Sequence, residues 1–345
     1  MSKAESPRRN IVLELLNKYP DEPKKTLAKL LHKQYPHEFP TVEKARDSIR
    51  YYTGSQGNNN RKRGNTISIS PKTQAESKKL DLKIRKGDRG AKKPLVINTS
   101  GRWFFSSDWH VPYHDEKALE AALRHAVDSK CDHIYINGDA LDFYQSSNWE
   151  KDPRKRNLDE ERKTFWEIID QILPYFPGRR IFKIGNHEHR FTRRMYQLQP
   201  ELSVLSEFNV DRVLNLRERN FEIVKSSQFA IMKPSELRRQ NSLHVFHGHE
   251  LSKGFIAPVN ISRGLFLKTN TRSICGHYHR ASSHVETSGV GENIITTYSL
   301  GCLCNLAPDY APVNKWNHGC AIIDLDRAAY KVSNILIDRG QCYPI

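Results

Sequence analysis

From Leu95 onward, short apolar segments alternate with amphipathic ones, and polar residues follow directly after most of the apolar segments. The pattern predicts strand, helix, strand, helix and strand in turn, at residues 102–107, 116–130, 132–138, 161–173 and 180–186. This order predicts an α/β sheet with helices on its faces and reactive side chains at the carboxyl ends of its strands. Further strands are expected at residues 242–248, 272–278, 294–300, 320–326 and 330–338.

Five short polar blocks stand at the ends of predicted strands. They are Asp108-Trp109-His110, Gly138-Asp139-Ala140-Leu141-Asp142, Gly185-Asn186-His187-Glu188, His247-Gly248-His249 and Gly276-His277-Tyr278-His279. A single block would be an ordinary cap or core feature, but five on adjoining strands are expected to converge on one edge. Asp, Asn and His side chains suit Mn²⁺, Fe²⁺ or Zn²⁺. Because the ligands are too many for one ion, we expect two ions about 3.5–4 Å apart that share a carboxylate.

The spacing within the blocks suggests how their side chains meet. In an extended chain, alternate side chains point to the same face, so both Asp108 and His110 are expected to reach the site. The same reasoning applies to the two histidines of the His247-Gly248-His249 block. The glycines in the other blocks allow tight turns that bring the backbone close to an ion.

In these five blocks the sequence resembles the calcineurin-like metallophosphoesterase superfamily, whose signature runs DxH, GDxxD, GNH(D/E), H and GHxH. The resemblance covers roughly residues 95–345, and the contexts of the blocks are most similar to bacterial and phage-borne members. It implies an α/β/β/α sandwich of two mixed sheets flanked by helices, preceded by a small three-helix module. It also implies a hydrolase of phosphate esters with two divalent ions, of which Mn²⁺ is favoured over Fe²⁺ and Zn²⁺.

The resemblance also implies a role for individual residues. It places the first ion on Asp108, His110 and His279, the second on Asn186, His247 and His277, and Asp139 between both. His187 would protonate the leaving oxygen, and Asp142 would orient a ligand. Of the two histidines in the HGH block, the family pattern favours His247 as the ligand, which leaves His249 beside the substrate or in a structural role.

The sequence indicates the identity of the substrate less clearly than the residues of the metal site. Protein phosphatases of this superfamily resemble GDxVDRG at the second block, where an Arg grips the substrate phosphate. Here Phe143 follows Asp142, which disfavours protein phosphatase activity. Side chains next to the blocks are candidates for substrate contact, with ordinary packing at the rim as the alternative: Arg190, His114, Tyr113, Tyr144, His189 and His249.

The positive charge of the chain is concentrated in its N-terminal part. The net charge is +16, and residues 1–93 hold 23 Lys and Arg against 10 Asp and Glu, whereas residues 94–345 hold 32 against 29. Residues 1–53 predict a three-helix, helix-turn-helix-like module with Thr41 as the N-cap of its third helix. That helix carries Lys44, Arg46 and Arg50. The alternative is a small bundle that docks on protein.

Residues 54–93 are rich in Gly, Asn, Ser and basic residues, which predicts a flexible basic linker before a catalytic domain at 94–345. Within it, Arg61, Lys62 and Arg63 are expected to contact nucleic acid phosphates, with a solvated tether as the alternative. The first hypothesis for function is a metal-dependent phosphodiesterase that cleaves DNA or RNA delivered by residues 1–93. The alternatives are an enzyme acting on small nucleotides and a nucleic-acid-bound regulatory or assembly protein with secondary catalysis.

Two classes of protein are disfavoured by the rest of the sequence. No apolar run is long enough for a membrane span, and no signal-peptide apolar region follows Met1, so no membrane partner and a cytoplasmic location are expected. The six cysteines follow no disulfide-domain spacing. Cys302 and Cys304 form a C-x-C step that could suggest a metal site, but buried packing near the centre is favoured.

Overall fold

The structure is a computed structural model and describes residues 7–54, 85, 93–147, 152, 154, 157–237, 241–251, 259–287, 289 and 293–345. The chain divides into two compact units, residues 1–89 and residues 90–345. Arg61, Lys62 and Arg63, together with nearly all of the predicted linker, lie outside the described residues.

The first unit contains the three helices that its sequence predicts. They are α1 (Pro7–Lys18), α2 (Lys24–Gln34) and α3 (Val42–Thr53). Their apolar faces share a small core made of Val12, Leu15, Leu16, Leu27, Ala28, Leu31, Phe39, Ala45 and Ile49. The Oγ1 atom of Thr41 accepts a hydrogen bond from the backbone N–H of Lys44 at 3.2 Å, so the predicted N-cap of α3 is confirmed.

The basic side chains of α3 lie away from that core. Lys44 and Arg50 are exposed and Arg46 is half-buried. Arg46 lies 3.6 Å from a carboxylate of its own helix, and Arg50 lies 3.8 Å from another. Such exposed pairs are weak and do not prevent a guanidinium from binding a phosphate. Contact between α3 and nucleic acid stays a prediction.

The second unit is built on two mixed sheets. Its strands are β1 (Leu95–Ile97), β2 (Gly101–Ser106), β3 (His133–Ile136), β4 (Arg180–Lys183), β5 (Phe221–Val224), β6 (Ala230–Met232), β7 (Leu243–Phe246), β8 (Ser273–Cys275), β9 (Ser282–Thr287), β10 (Ile294–Ser299), β11 (His318–Leu325), β12 (Tyr330–Asp338) and β13 (Gln341–Pro344). One sheet has the order β1-β6-β7-β8-β10-β9 and the other β13-β12-β11-β2-β3-β4-β5. Strands β2 to β5 are parallel, and β11 to β13 extend their sheet in antiparallel fashion.

The helices of this unit cover the outer faces of the sheets. They are α4 (Glu116–Asp128), α5 (Leu158–Ile172), α6 (Asn186–Leu198), α7 (Val210–Val213) and α8 (Ile261–Thr269). Along β2, Trp103 and Phe105 point into the core between the two sheets, while Phe104 packs on the opposite side among residues of α4 and α5. On the second sheet, Leu265 of α8 packs against Cys275 of β8. The predicted α/β/β/α sandwich of two mixed sheets flanked by helices is confirmed.

All the predicted strands are present, but the pattern missed several elements. The missed strands are β1, β5, β6, β9 and β13, which have three to six residues each. The predicted strand at 180–186 ends at Lys183, because Gly185 already serves as the N-cap of α6. Helices α6, α7 and α8 were not predicted either. Among the described residues, no helix has the length and apolar character needed to span a membrane.

Candidate metal centre

The five polar blocks meet at the carboxyl ends of strands from both sheets. The DxH, GDxxD and GNHE blocks follow β2, β3 and β4 of one sheet, and the HGH and GHxH blocks follow β7 and β8 of the other. The expected convergence is therefore found, and it joins the two halves of the sandwich. Ligands in open α/β sheets bind at this edge of the strands.

The block residues reach the site through left-handed turns. Asp108, His110, Asp139, His277 and His279 have φ angles of 58°, 51°, 52°, 69° and 55°. Residues other than glycine rarely adopt this conformation, and in folded proteins such strain concentrates at functional sites. Asp108 and His110 do converge, but the expectation that they do so as alternate residues of an extended chain is wrong.

Glycines allow the blocks to approach each other closely. A Cβ atom added to Gly185 would lie 2.2 Å from an Asp139 carboxylate oxygen, and one added to Gly276 would lie 2.7 Å from an Asp108 oxygen. Any larger residue at either position would have to displace a carboxylate that the site needs.

The first half of the site joins Asp108, His110 and His279, all of them buried. The Oδ2 atom of Asp108 accepts a hydrogen bond from the backbone N–H of His277 at 2.8 Å. Its Oδ1 atom is buried and makes no hydrogen bond with the described residues, although Nε2 of His279 lies 3.3 Å away. The Nε2 atoms of His110 and His279 are 3.2 Å apart. These three donor atoms thus face one small volume.

The second half joins Asp139, Asn186, His247 and His277. The Nε2 atom of His247 lies 3.2 Å from Oδ2 of Asp139 and 3.1 Å from Oδ1 of Asn186. Donor atoms of Asp139, His247 and His277 lie within 4.8 Å of one another, and Asp139 also forms such a group with Asp108 and His110. Asp139 is therefore the residue that the two halves share, which is the position expected of a bridging carboxylate.

These residues fit a pair of divalent cations. An unpaired buried carboxylate oxygen is costly unless a cation or a hydrogen-bond donor meets it, and Oδ1 of Asp108 lacks such a donor among the described residues. Two imidazole nitrogens at 3.2 Å likewise repel each other unless a proton or a metal ion lies between them. Carboxylate, amide and imidazole donors together suit Mn²⁺, Fe²⁺ and Zn²⁺.

Outer hydrogen bonds orient the histidine rings. Nδ1 of His247 donates to the backbone carbonyl of Asn137 at 2.6 Å, and Nδ1 of His110 lies 3.1 Å from Oδ1 of Asp142. Each ring is thereby turned so that Nε2 points into the site, as in metal-binding histidines generally. His279 differs, because the atom facing its Nδ1 is the sulfur of Cys304, at 4.0 Å.

The charges of the cluster shift its pKa values. Burial alone would raise the pKa of Asp108, but the neighbouring His279 and His247 outweigh this effect, and the pKa lies below its usual value. Burial, and then the nearby His247, lowers the pKa of His277 to about 3. The cluster thus favours charged carboxylates and at least one neutral imidazole, the forms that bind metal ions.

His187 stands beside the cluster. Its Nδ1 lies 2.8 Å from the backbone carbonyl oxygen of Asp142 and 3.2 Å from the Oδ1 of that residue. Its Nε2 is 3.8 Å from Oδ2 of Asp139. Burial would lower the pKa of His187, but the Asp139 and Asp142 carboxylates outweigh it and raise the pKa. A guanidinium nitrogen of Arg190 lies 2.9 Å from Nδ1 of His187.

Glu188 holds the second block in place, and the sequence analysis missed this role. Its fully buried carboxylate accepts four backbone N–H bonds. The donors are Gly185 (2.9 Å), Asp139 (3.0 Å), Ala140 (2.7 Å) and Leu141 (3.2 Å). Burial, and then Asp139, raises the pKa of Glu188 to about 7. The signal was present, since a Glu three residues after an N-cap is the capping-box position.

A buried ion pair supports the HGH block, and it was also missed. The Nζ atom of Lys183 is fully buried and lies 2.8 Å from Oε1 of Glu250. Glu250 in turn accepts hydrogen bonds from the backbone N–H groups of Gly248 (2.8 Å) and His247 (3.3 Å). Lys183 also donates to the carbonyl of Ser226 at 2.8 Å. Removing either member would leave an unpaired buried charge behind His247.

Of the two histidines in that block, His247 reaches the site and His249 does not. Gly248 has a φ of 135°, which turns the chain away from the extended form that the alternation argument assumed. His249 instead places its Nε2 2.9 Å from the hydroxyl of Ser226. Burial lowers the pKa of His249 to about 4.

A cavity of about 650 Å³ opens beside the cluster. Its lining includes predicted ligand residues together with Tyr144, Arg190, Tyr310 and Trp316. Two of the candidates for substrate contact, Arg190 and Tyr144, therefore line it. His114 lines a separate groove beside α4, and His249 is not among the lining residues of either. Phe143 is buried, so the residue that replaces the phosphatase Arg cannot contact a substrate.

The C-x-C step packs against the centre. Cys302 and Cys304 are both buried, and donor atoms of Cys304, His110 and His279 lie within 4.8 Å of one another. The backbone of Leu303 donates to the carbonyl of Asp108 at 3.0 Å. The segment therefore braces the first block, which agrees with the packing interpretation, whereas the proximity of Cys304 to the two histidines is also what a metal ligand would show.

Comparison with known proteins gives weak but extended similarities. No protein-family model matches the chain. It is 23% identical over 252 residues to the Gene 54 protein of Mycobacterium phage L5, covering 68% of this chain and 93% of the relative. The Gene 54 protein of Mycobacterium phage D29 is 22% identical over 236 residues, with 64% and 87% covered. Both are phage proteins, in line with the predicted similarity to phage-borne sequences.

Two solved structures extend the comparison. Vps29 from Entamoeba histolytica in complex with Zn²⁺ is 10% identical, covers 71% of this chain and 98% of its own, and has a TM-score of 0.37. The phosphoesterase Yfce from E. coli is 18% identical, covers 70% and 96%, and has a TM-score of 0.36. In its two-sheet architecture and in the order and convergence of its five blocks, this chain resembles the calcineurin-like metallophosphoesterase superfamily.

Proposed function

We propose that the chain is a metal-dependent phosphodiesterase with two divalent ions, of which Mn²⁺ is our first choice. One observation carries this proposal. Donor atoms from all five blocks meet in a buried cluster that shares Asp139 and contains a carboxylate oxygen of Asp108 without a hydrogen-bond partner among the described residues. We assign Asp108, His110 and His279 to one ion, Asn186, His247 and His277 to the other, and Asp139 to both.

The bound ions would polarise a phosphoryl group and make water a nucleophile near neutral pH. The residues around them complete the chemistry. Nδ1 of His187 faces two acceptors on Asp142, the carbonyl at 2.8 Å and Oδ1 at 3.2 Å, and one donor, the Arg190 guanidinium at 2.9 Å. We assign a proton to Nδ1 because a carbonyl oxygen can only accept a hydrogen bond, and the Arg190 N–H then points past the ring toward the substrate phosphate. The carboxylates of Asp139 and Asp142 favour the doubly protonated ring, which then holds a second proton on Nε2. His187 gives this proton to the leaving oxygen.

Arg190 supplies the cation that the sequence lacks after Asp142. Its guanidinium lies 2.9 Å from the ring of His187 and lines the same cavity as the metal cluster. A guanidinium there grips a non-bridging phosphate oxygen and places the leaving group beside His187. Helix α6 carries both residues, one turn apart, so their spacing is fixed by the helix.

The finer proposal is a nuclease. The centre lies in a unit that is nearly neutral, whereas residues 1–93 hold 13 of the 16 net positive charges. A basic segment of this kind attracts a polyanion, and a phosphodiester is what the centre would cleave. Residues 1–93 would thus deliver DNA or RNA through Lys44, Arg46, Arg50, Arg61, Lys62 and Arg63. A cytoplasmic location without a membrane partner accords with this proposal.

The test is Mn²⁺-dependent cleavage of labelled single- and double-stranded DNA and RNA, with bis-p-nitrophenyl phosphate in parallel. Asp139→Asn serves as the blank, because it keeps the shape of the shared ligand and removes its charge. Cleavage of polymer by the wild type alone supports the nuclease. Hydrolysis of the small diester alone would support the metal centre, contradict the nuclease and favour small nucleotides as the substrates. If neither the polymers nor the small diester are hydrolysed with Mn²⁺, the proposed enzymatic activity is refuted. A nucleic-acid-bound regulatory or assembly protein would then be the remaining hypothesis.

A further inference from the structure

A row of aromatic rings leads from the metal cluster to the surface. The ring of Trp316 packs edge-to-face on the ring of His279 with centroids 4.2 Å apart. The ring of Tyr310 lies 6.2 Å from that of Trp316, again edge-to-face. Tyr310 itself is 72% exposed. A ligand side chain of the metal centre is thus connected through one indole to a phenol ring that faces solvent.

The loop that carries these rings is braced from within. The side-chain amide of Asn314 donates to the carbonyls of Leu306 (2.6 Å) and Ala311 (2.8 Å). Its oxygen accepts from the backbone N–H of Trp316 at 2.8 Å. One asparagine therefore ties the two ends of the loop together around Tyr310. The exposed phenol is held at the mouth of the site by this network, although the ring itself is not packed into a core.

The cavity shows what these rings border. Tyr310 and Trp316 line the space of about 650 Å³ that also holds the ligand residues, Tyr144 and Arg190. Tyr144 and Tyr310 also line a smaller adjoining recess of about 130 Å³. A phosphate held at the cluster beside Arg190 therefore has aromatic surface next to it on the side of Tyr310. In a nucleotide the base is joined to the phosphate through one sugar, so a nucleotide bound here would bring its base to the aromatic side of the cavity.

We propose that Tyr310, supported by Trp316, stacks on a nucleobase of the substrate, so that the centre acts on nucleotide units whose base is unpaired. This inference rests on the proposed phosphodiesterase function and adds the class of substrate to it. Aromatic side chains bind unpaired bases of any sequence through their π-faces, at about 1–3 kcal/mol per base. Bases within a duplex are already stacked on their neighbours and are not available to a side chain at the surface.

Two chromogenic diesters with one leaving group test this proposal in the full-length chain. They are thymidine 5′-(p-nitrophenyl phosphate) and methyl p-nitrophenyl phosphate, which differ in the presence of a nucleoside. The measured quantity is the ratio of their kcat/KM values with Mn²⁺. We expect the wild type to prefer the thymidine ester, and Tyr310→Ala to lower the ratio about tenfold, within the range of base stacking. Tyr310→Phe should keep the ratio, because stacking needs the ring and not the hydroxyl.

Tyr175→Ala is the matched control, since Tyr175 is 60% exposed and lines the groove beside α4 instead. It should keep the wild-type ratio. A ratio unchanged in Tyr310→Ala, or lowered equally in Tyr310→Phe, would overturn base stacking while hydrolysis of the methyl ester still upholds the phosphodiesterase. Failure of the wild type to hydrolyse either ester and to cleave DNA or RNA would instead refute the proposed function, and this inference with it.

Discussion

The Nε2 atoms of His110 and His279 face each other at 3.2 Å in a buried site. Nδ1 of His110 lies against the Asp142 carboxylate, which holds the proton of a neutral ring on that side and leaves Nε2 with a lone pair. If Nε2 of His279 also carries a lone pair, the two nitrogens repel each other unless they share a proton. A divalent cation held by His110, His279 and Asp108 would resolve this repulsion, because it would supply a positive charge to the two nitrogens and to Oδ1 of Asp108.

Metal binding should therefore stabilise the fold. We expect Mn²⁺ at 100 times its dissociation constant to add about 3 kcal/mol to the free energy of unfolding, or roughly 5–10 °C in Tm. The measurement is thermal unfolding after chelation and after adding metal back. Asp139→Asn should show little or no rise in Tm, because it removes charge from the residue that both halves share. An equal rise in both proteins would place the bound metal outside this cluster.

Asp142 should act through the two histidines that it orients. Its Oδ1 lies 3.1 Å from Nδ1 of His110 and 3.2 Å from Nδ1 of His187. We expect Asp142→Asn to lower kcat by about 10- to 100-fold, the usual effect of losing an outer partner of a metal-binding histidine. Steady-state kinetics measure kcat, and Mn²⁺ titration measures the affinity for the metal ion. Asp159→Asn, at an exposed carboxylate on α5, is the control and should leave both unchanged.

Glu188 should be required for the shape of the second block. Its carboxylate accepts backbone hydrogen bonds on both oxygens. A glutamine retains one acceptor and directs an N–H₂ group at the other donors, so Glu188→Gln should destabilise the fold by about 3 kcal/mol and weaken Mn²⁺ binding. Chemical denaturation and metal titration test this. Wild-type stability in Glu188→Gln would contradict it, with the exposed Glu160→Gln as the neutral reference.

The elements that sequence could predict are those whose pattern is long enough to read. Helix α4 has apolar residues at helical spacing and Asp115 as its N-cap, and both signals agree. Strand β6 has three residues, too few to show a period. Helix α6 contains few apolar residues and begins inside one of the five polar blocks, so the sequence pattern showed no helical period there.

The candidate site divides in the same way. The metal-ligand types were readable because five blocks recur in a known order. The positions of single side chains were not, because they depend on backbone turns such as the one at Gly248, which separates His249 from His247. The supporting ion pair of Lys183 and Glu250 joins residues 67 positions apart, and no local pattern marks such a contact.

Glu161 should make stability depend on pH. Burial, and then the nearby Asp142, raises its pKa from 4.5 to about 8. Since the folded-state pKa is the higher one, its contribution is fully present below pH 4.5 and is lost as the pH rises through about 8. Relative to Glu161→Gln, the wild type should lose about 1.4 kcal/mol per pH unit within that window. Denaturant unfolding at pH 5.5, 6.5 and 7.5 measures the difference, and parallel profiles of the two proteins would refute it.

The last prediction concerns the basic helix of the first unit. If α3 contacts nucleic acid phosphates, then replacing Lys44, Arg46 and Arg50 together by Gln should weaken binding of any sequence and lower the salt dependence. Each lost phosphate contact reduces the slope of log K against log salt by about 1. The measurement is fluorescence anisotropy of labelled DNA and RNA between about 50 and 200 mM salt. Replacing Lys117, Arg124 and Lys130, which are exposed on or just after α4, removes the same charge elsewhere. If both triple variants lose the same affinity and slope, the effect is one of net charge, whereas a loss confined to the α3 variant identifies that helix as the surface that meets the polyanion.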